Sequence, residues 1–228
     1  MDILIENQTF ILKGLAMTLA IAVATLLFST VIAAVLGVLA SLKNKTLRLL
    51  IWLYVEFFRA IPLVVNIFCI YFVLPLFDIH LSPFWAVTVG LTLWGSANGI
   101  EIVRGGILSI PSHQWRSAWA LGMSTYEIYR YVIGPQALRA IVPPFTGLLT
   151  LLVQATSLGA LVGVSEFLKV SQIILERETV MGGESPAFTV YAVVLLVYFV
   201  ICSLLTWLSR YLERRLNATK VKLQPSSM

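Results

Sequence analysis

The side chains able to do chemistry are few, and most of them sit inside apolar runs. The chain has two aspartates, Asp2 and Asp78, two histidines, His80 and His113, and two cysteines, Cys69 and Cys202. The aspartates lie far apart, the histidines belong to different connections, and no CxxC or Cys/His cluster exists. Hard divalent ions need clustered oxygen ligands, and a catalytic site needs an acid–base constellation. Neither is present, nor is a GxxxxGK[ST] phosphate loop, so the pattern argues against an enzyme. What remains is a set of polar groups in greasy surroundings: Asn66, Ser96, Asn98, Gln154, Thr156 and Ser157. Such groups are costly in lipid and face a protein interior or a water-filled cavity. Their amides and hydroxyls can bond an ammonium, a carboxylate or a polar side chain without fixed charge, which makes them candidates to line a solute path. Helix packing is the competing reading, strongest for Ser96, Thr156 and Ser157. Glu56 and Arg59 are three apart and can meet on one helix face, and Pro62 should kink that helix. This trio reads as a structural or gating element. Glu101 and Arg104 repeat the spacing and read as a simple pair.

The elements that must hold these groups follow from composition. Of 228 residues, 59% are apolar and only 12% charged, and the mean hydropathy is +0.91. An ordinary soluble domain carries about 25% charged residues, so a cytosolic enzyme, a disordered chain and a secreted disulfide scaffold are all excluded. Both cysteines lie in apolar runs and read as small core or lipid-facing residues. A crossing helix needs about 20 mostly apolar residues. Five segments qualify, at about 15–42, 49–76, 84–103, 141–164 and 188–208. Lipid offers no hydrogen bonds to the backbone, so each should be a helix. The expected fold is an all-α polytopic membrane protein in one domain spanning 1–228. No cleaved signal is expected, since Met1 to Gln8 hold Asp2 and Glu6 but no Lys or Arg.

The bases set the orientation. Lys43, Lys45, Arg48, Arg104, Arg116, Arg130, Arg139, Arg210, Arg214, Arg215, Lys220 and Lys222 fall on one side. Lys13, Lys169 and Arg177 fall on the other, where Glu166, Glu176, Glu178 and Glu184 make the segment 165–186 acidic. The positive-inside bias places the N-terminus outside and the C-terminus in the cytoplasm. It also accounts for the charge of +5 without nucleic acid. The long connection at 104–139 is then cytoplasmic and reads as two short amphipathic helices. Pro111 and Ser112 start the first, Trp115, Ala118, Trp119 and Leu121 form its apolar stripe, and Gly122 ends it. Ser124 or Thr125 caps the second, which holds Tyr126, Tyr129, Val132 and Ile133, with Pro135 as its limit. Such a pair either rests at the membrane interface or docks a cytoplasmic partner.

These residues carry a resemblance. Glu101-Ile-Val-Arg-Gly-Gly-Ile-Leu-Ser-Ile-Pro, then Gln114-Trp-Arg-Ser-Ala-Trp-Ala-Leu-Gly-Met-Ser and Ile133-Gly-Pro-Gln-Ala-Leu-Arg, resemble the permease subunits of ATP-binding-cassette (ABC) importers for polar amino acids, of histidine and glutamine type. The signature of that family in this loop is Glu-Ala-Ala, a Gly six residues after the Glu, and a later Pro. Here that register falls on Arg116-Ser117-Ala118, Gly122 and Pro135. Tyr54-Val-Glu-Phe-Phe-Arg-Ala-Ile-Pro-Leu-Val, Thr156-Ser-Leu and Gly163-Val-Ser-Glu-Phe match as well. The chain departs from the pattern with Arg116 for the Glu, Gly134 for a Leu, and Gln154-Ala155 for a Lys-Asp pair.

The resemblance implies a type I ABC importer permease fold with five transmembrane helices and a cytoplasmic coupling-helix loop, in a bacterial cytoplasmic (inner) membrane. It implies a second permease chain, identical or related, and two ATPase subunits that bind ATP and Mg, with no cofactor on this chain. It also implies an extracytoplasmic amino-acid-binding protein, received by the acidic outer segment and the turn at Asp78–Pro83. The coupling residues would be Trp115, Arg116, Ala118, Trp119, Gly122, Met123, Ser124, Tyr126, Arg130 and Pro135. Membrane anchoring competes as a role for Trp115, Trp119 and Tyr126, and positive-inside charge for Arg116 and Arg130. A secondary transporter or channel for a small polar solute is the alternative, but it would more typically show repeated halves.

Overall fold

The computed structural model describes residues 5–182 and 186–221, and every regular element among them is helical. Helix α1 runs Gln8–Ser41. Its 34 residues measure about 51 Å, well beyond the roughly 30 Å of a bilayer core. One stripe of it is small and buried: Thr18, Ala22, Thr25, Ser29, Ala33, Gly37 and Ala40. Between helices in lipid there is little hydrophobic drive, and close backbone approach does the packing instead. The approach is closest at Gly37, where an added Cβ would lie 2.5 Å from the Val103 Cβ.

Helix α2 spans Lys45–Ala60, capped by the Asn44 side chain, which accepts the Leu47 N–H at 3.1 Å. The sequence suggests one span with a kink at Pro62, but the chain breaks fully there. Ile61 and Pro62 are both extended, and the axis turns by 102° into α3, Leu63–Phe68, and the π and 3-10 turns that follow to Phe77. The residue before a proline is biased toward extended backbone, the conformation Ile61 adopts where α2 ends. Asn66 closes the break by donating its side-chain amide to the Phe58 carbonyl at 3.5 Å.

Helix α4, Pro83–Leu108, is the centre of the bundle and packs against α1, α2, α3 and, on a further side, α7. It is long enough to cross a bilayer at 26 residues, or about 39 Å. The sequence marks its segment 84–103 as one of five spans, but α4 is not among the described helices apolar enough to count as one, and its surface meets protein on several sides. Small residues (Ala86, Gly90, Gly95, Ala97, Gly99 and Gly106) recur along its buried surface.

Helix α5, Ser112–Ala120, and α6, Thr125–Glu127, form the hairpin. Pro135 does not end the second helix as the sequence suggests. The chain stays helical from Thr125 to Val162 through a π turn at Ile128–Ile133, α7 at Gly134–Ala155 and a 3-10 turn at Thr156–Val162. The π turn resets the hydrogen-bond frame just before Pro135, so the missing N–H falls in the first turn of the new frame. Helix α8, Phe167–Gly182, and α9, Ala187–Val221, complete the chain. By length and apolarity, Gln8–Ser41, Thr125–Val162 and Ala187–Arg215 can each cross a membrane, and the bent pair 45–77 makes up to four. The main core is built from Ile21, Ile67, Val87, Leu91, Leu148 and Leu152, so it joins α1, α3, α4 and α7.

Candidate functional site

The hairpin is set by two local motifs back to back. Helix α5 closes by donation of the Gly122 N–H to the Trp119 carbonyl at 2.9 Å and of the Met123 N–H to the Ala118 carbonyl at 3.2 Å. This is a Schellman turn, whose left-handed position is taken here by Gly122 at φ 77°. Two residues later Ser124 and Glu127 form a capping box. The Glu127 carboxylate accepts the Ser124 N–H at 2.8 Å and its hydroxyl at 2.7 Å, and the Ser124 oxygen accepts the Glu127 N–H at 3.4 Å. The Ser124 hydroxyl and then its backbone N–H hold the Glu127 carboxyl below the usual carboxylate range.

The inner face of the hairpin is anchored to the bundle. Ala118, Ile128 and Ile133 are buried with Val103 and Ile107 of α4 and Ala137 of α7, flanked by Trp115, Met123 and Tyr129. The Trp115 and Tyr129 rings meet edge to face at 5.2 Å, and the Tyr129 hydroxyl bonds that of Ser41, at the end of α1, at 2.9 Å. Of the residues singled out in this loop, Ala118 is therefore internal, and Trp115 and Met123 are half-buried. Arg116, Trp119, Gly122, Ser124, Tyr126, Arg130 and Pro135 remain at the surface. The apolar stripe read from sequence splits, with Ala118 turning inward and Trp119 and Leu121 outward. Leu121, 81% exposed, is the most prominent apolar group of the loop and was given no surface role by its pattern.

The candidate path residues separate into two groups. Ser96 and Thr156 have no exposed surface, and Asn66 is nearly buried. Ser96 bonds the Tyr54 hydroxyl at 2.7 Å, Thr156 donates to the Val153 carbonyl at 2.8 Å, and Asn66 closes the α2 break. All three are buried and bonded within the fold, and Asn98 and Ser157 likewise donate to the Trp94 and Gln154 carbonyls, at 2.9 and 2.8 Å, so exposure rather than bonding separates the two groups. Asn98 and Ser157 are half-buried and Gln154 is exposed. Gln154 lines a groove of about 660 Å³ between α7 and α9, with Thr150, Tyr198, Ser203, Thr206 and Arg210. A second cleft, of about 530 Å³, lies between α2 and α4 and takes in Lys45, Arg48, Glu56, Arg59, Glu101 and Arg104. Glu101 and Arg104 form the expected pair through two bonds, at 3.0 and 2.7 Å. Glu56 and Arg59 line the cleft without pairing to each other.

One feature contradicts the sequence reading. Glu166, counted there with the acids of the outer segment, is fully buried. Its carboxylate accepts the Leu168 N–H at 2.9 Å and the Lys169 N–H at 2.7 Å, capping α8. It also accepts the Tyr198 hydroxyl of α9 at 3.2 Å, and the Thr18 hydroxyl of α1 lies at 3.4 Å. Four donors from three helices enclose the group, so it offers nothing to an outside partner. Glu166 directly precedes α8, but Glu is not among the usual N-cap residues, so the sequence carried little signal for this role. Glu176 stays exposed, Glu178 is half-buried, and Glu184 lies outside the described residues.

Comparison with known proteins places this geometry. Residues 33–218 match the family described as "Binding-protein-dependent transport system inner membrane component". A probable amino-acid ABC transporter permease protein, YckA of Bacillus subtilis, is 33% identical over 92% of this chain and 91% of its own length. The glutamine transport system permease protein GlnP of Escherichia coli is 32% identical over 91% and 93%. A crystal structure of an amino acid ABC transporter with histidines superposes with a TM-score of 0.82 at 25% identity, covering 93% of this chain and 96% of that one. The MetNI methionine ABC transporter, at 22% identity and a TM-score of 0.73, shares the fold. The chain belongs to the binding-protein-dependent transport system inner membrane components, and it is a permease subunit of an ABC importer whose ATPase is a separate subunit.

Proposed function

We propose that this permease carries a polar amino acid across a bacterial cytoplasmic membrane, as one of two permease chains, identical or related, that face each other around the path. Five crossings, α1, the broken α2–α3, α4, α7 and α9, put the N-terminus outside and the C-terminus inside. Two ATPase subunits bind ATP and Mg2+ and supply the energy, and an extracytoplasmic binding protein delivers the solute. The relatives named for amino acids, glutamine among them, support that solute class.

The observation that carries this reading is the hairpin, fixed to the bundle on one face and open on the other. Its outer face, with Leu121, Trp119 and Tyr126, is the docking surface for the ATPase. Its inner face is continuous with a helix of 38 residues, Thr125–Val162, about 57 Å long. A tilt imposed at Thr125 is therefore delivered at Gln154 and Ser157, beside the α7–α9 groove. Close-packed helices transmit such a displacement because their interfaces switch between discrete packings rather than deforming smoothly. Gln154, Asn98 and Ser157 are the side chains left to meet the solute, and the Glu56–Arg59–Pro62 break and the Glu101–Arg104 pair act as gating or structural elements. The test is a photo-cross-linker at Trp119 in intact cells. It should capture a nucleotide-hydrolysing subunit during solute uptake, and uptake without that product would refute the docking.

A further inference from the structure

The outer face of the hairpin is an apolar tip set within a frame of cations. Leu121 is 81% exposed, Tyr126 66% and Trp119 46%. The Lys43 Nζ lies 5.0 Å from the centre of the Trp119 ring. The Arg130 guanidinium lies 5.8 Å from the Tyr126 ring centre and donates to its hydroxyl. Arg116 sits one turn before Trp119 and is exposed, and it donates to the Ser112 hydroxyl at 3.2 Å. None of the three bases forms an ion pair among the described residues. The one carboxylate between Ser109 and Ile133 is Glu127, and it is turned back onto Ser124 in the capping box. The surface thus presents uncompensated positive charge, with aromatic rings holding two of the bases in place.

We propose that the groove receiving this hairpin on the ATPase is an apolar slot rimmed by carboxylates, which pair with Lys43, Arg116 and Arg130 and select the cognate subunit by charge. The proposal rests on the docking reading above. Rim charges govern encounter and discrimination between partners, while the apolar centre supplies most of the binding energy.

The test co-expresses the permease with its ATPase and measures the ATPase retained when the permease is purified from membranes. Arg116→Glu and Arg130→Glu should each reduce retention at least about tenfold, and Arg116→Lys should keep it. Wild-type retention should weaken as salt rises from about 0.1 to about 1 M, where the screening length falls from about 10 to about 3 Å. Leu121→Asp separates the two ideas. If it releases the ATPase while both charge reversals retain it at every salt, docking stands and the carboxylate rim is overturned. If Leu121→Asp also retains the ATPase, the docking reading falls and the rim with it.

Discussion

Replacement of Glu166 offers the sharpest test of how α1, α8 and α9 are held together. Its carboxylate caps two N–H groups of α8, takes the Tyr198 hydroxyl and faces Thr18. Removal of a helix cap costs about 0.5–2 kcal/mol. A buried hydroxyl left without its partner costs about 1–3 kcal/mol. Glu166→Ala should therefore destabilise the protein by roughly 1.5–5 kcal/mol. Tyr198→Phe, which removes one donor and leaves the cap intact, should cost about 0.5–1.5 kcal/mol. Burying a carboxylate is itself costly, so replacing the whole network with apolar groups could be neutral, but removing one partner leaves the donors stranded. Thermal unfolding in detergent measures the total, and hydrogen exchange at Leu168 and Lys169 locates it. Glu166→Gln reports the charge state, since a neutral amide mimics a protonated acid. With donors converging on both oxygens, Gln should fail to replace Glu. A Glu166→Ala protein that melts with wild type, and whose α8 amides exchange no faster, would refute the tether. A silent Glu166→Gln would show that the group is neutral in the fold.

Other outcomes follow from the same geometry. Gly122→Val forces a side chain into a left-handed position at φ 77°, at a cost of about 1–2 kcal/mol. Uptake should be lost while the protein still inserts, as followed by solute accumulation and membrane quantity. Ser124→Ala should cost about 1 kcal/mol locally and speed amide exchange at 124–128. The Glu127 carboxyl is held below its ordinary range, so its contribution is complete above the unfolded carboxylate value and is lost as pH falls through the folded one. Exchange protection of α6 should accordingly be flat at neutral pH and fade only on strong acidification. Changes at exposed Gln154 or half-buried Asn98 should alter solute-stimulated ATP hydrolysis by the assembled complex, and an unaltered response in both would remove them from the path.

Much of this protein is legible in one dimension because the bilayer simplifies the physics. Backbone groups in lipid must bond within their own segment, so long apolar runs can only be helices. The apolar runs at 15–42 and 188–208 accordingly fall inside α1 and α9, which are long and apolar enough to cross, whereas the run at 84–103 falls inside α4, which is not apolar enough to count as a span. The hairpin was equally readable, since Gly122 and Ser124 end and start helices through contacts within a few residues of themselves.

Long-range packing decided the rest. The 102° break at Pro62 and the continuity through Pro135 are opposite fates for the same residue type. After Pro62 the turned chain packs Ile67 of α3 onto Gly90 of α4, whereas at Pro135 a π turn absorbs the missing N–H. Whether a polar residue lines a path or fills an interface cannot be told from its type. Ser96 is sealed by Tyr54, distant in sequence, while Gln154 opens to a groove that exists only because α9 packs beside α7. Glu166 makes the same point most clearly. Its charge and position near a loop suggest an outer surface, but Thr18 and Tyr198 arrive from other helices to enclose it. Sequence specifies each helix through bonds a few residues apart, whereas exposure is a property of neighbours brought in from elsewhere in the chain.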